Sequence, residues 1–79
     1  MRSLNGKIML TLENATGMVR VREIKGSRSF VRRLADLGLA PGQIVEVLSN
    51  GPPVVVRIKD TKIAIGKGVA RKVIVENAE

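Results

Sequence analysis

The sequence predicts a small, mainly β fold: a five-stranded barrel with one short α-helix, at about 28–37, inserted after the first strand. Three observations carry this. From Gln43 onward, Val and Ile alternate with polar residues in successive short runs separated by Gly, Pro, Asn and Asp, the period-two pattern of half-buried strands. Before them one stretch, Ser27 to Gly42, has helical spacing and an explicit stop. Finally, hydrophobic residues make up 44% of the chain, yet Phe30 is the one aromatic. A narrow barrel interior accepts Val and Ile more readily than large rings, and closure removes exposed strand edges.

Taken in order, residues 1–9 lack periodicity and are expected to form a loosely held arm. The domain occupies 10–76, and 77–79 are a tail. Met9 to Glu13 offers a short edge strand or turn, and Asn14 to Gly17 a turn. Met18 to Ile24 alternates apolar and charged residues; its phase breaks before Ile24, which predicts a bulge or bend there. In the helix, Ser27 or Ser29 supplies the N-cap. Phe30, Leu34 and Leu37 fall at i, i+4, i+7, widened by Val31 and Ala35 into an apolar stripe. Arg32 and Asp36 stand one turn apart, close enough to pair. Gly38 at the first position beyond the helix makes Leu39 and Leu34 the contact pair of a Schellman stop, and Pro41 prevents continuation.

Beyond the turn at Pro41-Gly42, Gln43 to Leu48 forms a strand with Val45 and Val47 on one face. The double proline Pro52-Pro53 restricts Ser49 to Pro53 to a loop. Val54 to Lys59 points Val54, Val56 and Ile58 inward, Asp60-Thr61 makes a tight turn, and Lys62 to Ile65 returns with Ile63 and Ile65 inward. Gly66-Lys67-Gly68 permits a corner or a single helical turn. Arg71 to Glu76 completes the sheet with Val73 and Val75 facing the core.

Composition narrows the chemistry. The 79 residues include no Cys and no His, which removes thiolate metal sites, disulfides and the usual general base. The acids are scattered without paired spacing, Gly66-x-Gly68 lacks the rest of a nucleotide loop, and Ser27 and Ser29 sit where serine caps a helix. The expectation is a non-enzymatic chain with no cofactor and no metal site. The N-terminus is too short and polar for a signal peptide or a membrane span, so a cytoplasmic location without membrane insertion is expected.

The net charge is +7, with basic residues concentrated in 20–33 and 57–72. That suits an acidic or membrane-proximal partner surface, a polyanion, or plain solubility. A small basic nucleic-acid-binding barrel is therefore the alternative reading. Against it, single-strand binders stack bases on aromatics, and Phe30 belongs to the helix's apolar stripe. Self-association is a third expectation, since so thin a core invites it.

The residues Leu34-x-x-Leu37-Gly38-Leu39-x-Pro41-Gly42, followed by Val45-x-Val47, then Ile63-Ala64-Ile65-Gly66 and Ala70 before Val73-Ile74-Val75, form an ordered set. With Leu12, Gly17 and the Val19 to Ile24 strand, this set resembles the FeoA family over about residues 10–76. The resemblance implies an SH3-like barrel, related to the C-terminal domain of iron-dependent repressors, that serves bacterial ferrous iron uptake as an accessory. It further implies interaction with FeoB, a membrane permease with a cytosolic GTPase domain. The family-level association with transition metals has no matching ligand set in this sequence. Leu34, Leu37, Gly38, Leu39, Pro41 and Gly42 carry the motif; Arg32, Arg33, Leu39, Ala40 and Pro41 are the candidate partner-binding residues.

Overall fold

Five strands and two short helices follow one another as β1 (Gly17–Ile24), α1 (Arg28–Asp36), β2 (Ile44–Ser49), β3 (Val54–Ile58), β4 (Thr61–Ile65), α2 (Lys67–Ala70) and β5 (Val73–Asn77). The computed structural model describes residues 10–78, so the arm expected over 1–9 lies outside the described residues. All strands are antiparallel neighbours in one sheet of order β4-β3-β2-β1-β5.

Alternation in β1 buries Val19 and Val21 and exposes Arg20 and Arg22. The pairing of β1 with β5 then slips between Val21 and Glu23. The extra residue lets Ile24 return to the core, which accounts for the phase break in the sequence. In β2, Val45 and Val47 point inward; in β3, Val54, Val56 and Ile58 do so. These β-branched side chains suit a pleated, buried surface. They join Leu12, Leu34, Leu39, Ile65, Ala70, Val73 and Val75 in a single cluster. Each fully buried Val or Leu contributes on the order of 1.5–3 kcal/mol. No polar or charged side chain among the described residues is buried.

Three local expectations need correction. The β3–β4 turn is Lys59-Asp60, one residue earlier than the sequence suggests, because Ile58 pairs with Thr61. Lys59 takes the positive φ, 57°, while the inward set Val54, Val56 and Ile58 fixes the register against Ile65, Ile63 and Thr61. Secondly, Ile74 is buried along with Val73 and Val75. The segment before β1 covers it: Thr11 bridges Ile74, the Leu12 amide donates to the Val73 carbonyl (3.1 Å), and the Val75 amide donates to Leu10 (2.8 Å). A turn follows at once, with the Thr11 amide bonded to Asn14 Oδ1 (2.9 Å) and the Asn50 side-chain amide donating to the Ala15 carbonyl (3.1 Å).

The third correction concerns edges. Closure was expected to remove them, but no pairing joins β4 to β5 among the described residues. β5 is shielded by Leu10 to Leu12, whereas β4 has a neighbour on one side alone among the described residues. With a two-residue turn, Ile58 and Thr61 form a hydrogen-bonded pair, so the Lys62 and Ala64 backbone groups point away from β3.

Candidate partner-docking face

The helix α1 begins at Ser27, whose extended backbone and side chain form the N-cap: Oγ accepts the Phe30 amide at 3.2 Å. Ser29 is not the cap; its hydroxyl lies 3.3 Å from that of Ser27. At the other end the Gly38 amide donates to Ala35 and the Leu39 amide to Leu34, both at 2.9 Å, the two bonds of a Schellman stop. Gly38 has φ 100°, and a Cβ there would stand 2.9 Å from Ile58 Cγ2. Glycine is therefore required twice over, by backbone conformation and by space.

This stop separates two leucines that the sequence treats alike. Leu39 is fully buried, so it offers no anchor to a partner and belongs to the packing. Leu37, expected on the buried stripe, is 49% exposed. Leu37 is the C-cap residue, still helical in its backbone (φ −88°, ψ −5°), and it lies at the end of the stripe beside an open groove rather than over the core. Beyond them Ala40 to Gln43 is a hydrogen-bonded turn (3.0 Å) with Pro41 and Gly42 at its centre, Gly42 at φ 95°. That is the geometry of a type II turn. The Gly42 amide ties it to the Val21 carbonyl at 2.8 Å, so Pro41 is presented on a rigid support while Ala40 is half-buried.

Leu37 opens onto a groove of about 490 Å³ lined by Ala35, Asp36, Leu37 and Gly38 on one side and Ile58, Lys59, Thr61 and Ile63 on the other. Sequence reasoning did not find this groove. It joins the end of α1 to the β3–β4 hairpin, two segments about twenty residues apart in the chain, and the available signal was the uncertain place where the helix stops.

Charge is sorted between faces. On the sheet, Arg20 and Arg22 pair with Glu76, and Arg57 with Glu46 (2.9 Å). Lys67 and Arg71 pair with Glu13. Around α1 five cations, Lys25, Arg28, Arg32, Arg33 and Lys72, have no ion pair among the described residues, against two, Lys59 and Lys62, at the β3–β4 hairpin. The expected Arg32–Asp36 pair is not formed. Lys72 lies over the ring of Phe30, 5.2 Å from its centre. Phe30 itself packs against the core, so it presents no open stacking face for a base.

Among the described residues no cluster of His, Cys, Asp and Glu could hold a metal ion. The face combines a cationic helix, a Pro-Gly turn tied to β1 and a groove with one exposed leucine.

The family model for the FeoA domain matches residues 10–77. The chain belongs to the FeoA family. A candidate Fe(2+) transport protein A of Methanocaldococcus jannaschii is 37% identical over 60 residues, covering 75% of this chain and 73% of that one. Among solved structures, an iron uptake regulatory protein (FeoA) superposes with a TM-score of 0.78 at 29% identity, covering 87% of this chain and 97% of the other. FeoA of Stenotrophomonas maltophilia, complexed with zinc and described as a prokaryotic SH3 domain protein, gives a TM-score of 0.67 at 26% identity over 87% and 91% of the two chains. The FeoA match begins at Leu10, where the segment covering β5 begins. No helix among the described residues is long and apolar enough to cross a membrane.

Proposed function

We propose that this FeoA-family chain is a non-enzymatic, cytoplasmic accessory of ferrous iron uptake that acts by docking on the cytosolic side of a FeoB-type permease. Family membership supports the process; the S. maltophilia relative is itself described as a candidate ferrous iron transport activating factor. The observation that carries the mode of action is the exposure of Leu37 at the mouth of its groove, beside Ile63 and Ala35. An apolar side chain held rigidly at a groove supplies the desolvated anchor that protein interfaces use, while charged residues form the rim.

In this reading Leu37 replaces Leu39 as the anchor, Ala40 and Pro41 extend the contact from the adjoining turn, and Arg32 and Arg33 steer encounter with acidic groups. Iron is the permease's cargo in this reading, and this chain has no high-affinity site for it, in keeping with the lack of a ligand cluster among the described residues.

Co-purification with FeoB in detergent tests the proposal. Leu37→Glu and Ala40→Asp are expected to abolish capture of FeoB while leaving the thermal transition within a few degrees of wild type. Undiminished capture by both variants would remove the groove and turn from the interface. Failure of the wild-type chain to capture FeoB at all would remove FeoB as the partner.

A further inference from the structure

The cations around α1 carry an inference that the groove does not. We propose that the face formed by Lys25, Arg28, Arg32, Arg33 and Lys72 is a docking site for the anionic surface of a lipid bilayer, holding the chain flat beside the membrane without insertion. This rests on the reading that the chain serves a membrane permease.

The charge distribution argues for it. Three acids, Glu13, Glu46 and Glu76, pair with five basic residues elsewhere on the molecule and offset part of their charge. None of them reaches the α1 face. Arg28 opens the helix, and the first turn contains no acidic residue, so its charge sits against the positive end of the helix dipole. An external anion relieves that arrangement. The Lys25 amide donates to the Lys72 carbonyl at 2.9 Å, which sets two lysines side by side next to the helix start. A cluster of four to eight basic residues is the pattern that anionic leaflets attract.

The same face can steer a protein partner by its charge but offers it no anchor. Its exposed residues are Lys25, Ser27, Arg28, Ser29, Arg32 and Arg33, with Lys72 beside them; none is apolar, and protein interfaces need an apolar centre. Insertion is excluded by packing, because Phe30, Val31 and Leu34, the apolar side of α1, are already committed to the core. Adsorption is therefore electrostatic, and its strength follows the number of charges.

Co-sedimentation with vesicles tests this, using phosphatidylglycerol–phosphatidylcholine mixtures against phosphatidylcholine alone across a salt series. Binding to the anionic vesicles is expected at low salt and should weaken as salt rises. Each charge near such a surface is worth about a fivefold change in affinity. The triple variant Arg28→Gln/Arg32→Gln/Arg33→Gln should therefore bind about 10²-fold more weakly. A second triple, Arg20→Gln/Arg22→Gln/Arg57→Gln, has the same net charge but removes cations already paired on the sheet. It should lose less than about fivefold. Arg28→Lys/Arg32→Lys/Arg33→Lys should bind within about twofold of wild type, since a bilayer reads charge whereas bidentate carboxylate recognition demands guanidinium.

Equal losses in the two Gln triples, equal binding to neutral vesicles, or no binding to anionic ones would overturn the proposal. So would a loss of binding in the Lys triple, or tighter binding of the same face to a duplex oligonucleotide or polyglutamate. FeoB capture in detergent is independent of lipid charge. Capture without vesicle binding sinks this inference alone, and vesicle binding without capture sinks the FeoB reading alone.

Discussion

Replacing Gly38 with alanine tests the helix stop most severely, and Gly42→Ala provides its internal control. Both glycines adopt positive φ, 100° and 95°, so both alanines incur the left-handed backbone cost of about 1–2 kcal/mol. They differ in what the new methyl meets. At Gly42 nothing lies within 4 Å, whereas at Gly38 the Cβ would stand 2.9 Å from Ile58 Cγ2. Ile58 is a buried strand residue, stiff at χ1, and the atom met is the branch methyl next to its Cβ rather than the end of a flexible chain. Forcing a methyl into such packing costs a further 1–3 kcal/mol or so. Gly38→Ala should therefore destabilise by about 2–5 kcal/mol and Gly42→Ala by about 1–2 kcal/mol. For a chain this size, total stability is on the order of 4–12 kcal/mol, so the first substitution removes a large part of it. Urea unfolding followed by far-UV circular dichroism measures both, with Gly51→Ala as an unstrained reference. Equal losses at 38 and 42 would refute the steric half of the reasoning. Losses below about 0.5 kcal/mol at both would refute the conformational half.

Ser27→Ala should cost about 1 kcal/mol in the same assay through loss of the cap, while Ser29→Ala should stay within about 0.5 kcal/mol. Leu39→Ala should cost about 2–5 kcal/mol; Leu37→Ala, a surface truncation, should change stability by less than about 0.5 kcal/mol. Anaerobic calorimetric titration with Fe(II) should give no tight, saturable binding to the monomer, because an intracellular iron site wants His or clustered carboxylates. Raising salt from 0.05 to about 0.5 M should shift the unfolding midpoint little, since the ion pairs are exposed and worth at most about 1 kcal/mol each.

Much of the architecture was legible because the physics behind it is local. Val19 and Val21 against Arg20 and Arg22, the phase slip before Ile24, and the Leu34–Gly38–Leu39 stop each follow from spacing within a few residues. The misplaced turn at Lys59-Asp60 shows where such reasoning ends. Neither that pair nor Asp60-Thr61 contains glycine, so local chemistry does not choose, and cross-strand register decides. Ile74 is buried for an equally nonlocal reason, the return of Leu10 to Leu12 from the far end of the chain. The candidate site was the least legible part. Its residues Arg32, Arg33 and Pro41 are at the surface as expected, but Leu37 and Leu39 exchange roles across one glycine, and the opposing wall of the groove comes from β3 and β4.

The unequal treatment of the two outer strands has a consequence for how the protein behaves when crowded. β5 bonds to Leu10 and Leu12, so that margin is covered by the segment that precedes β1. At β4 the deterrent to stacking of one molecule upon another that the described residues supply is electrostatic, with Lys62 exposed on the strand and Lys59 at the hairpin tip. Two such edges approaching each other bring four ammonium groups together. In concentrated solution Lys59 and Lys62 thus set a charge barrier to edge-to-edge contact at the one margin that β5's covering segment does not protect.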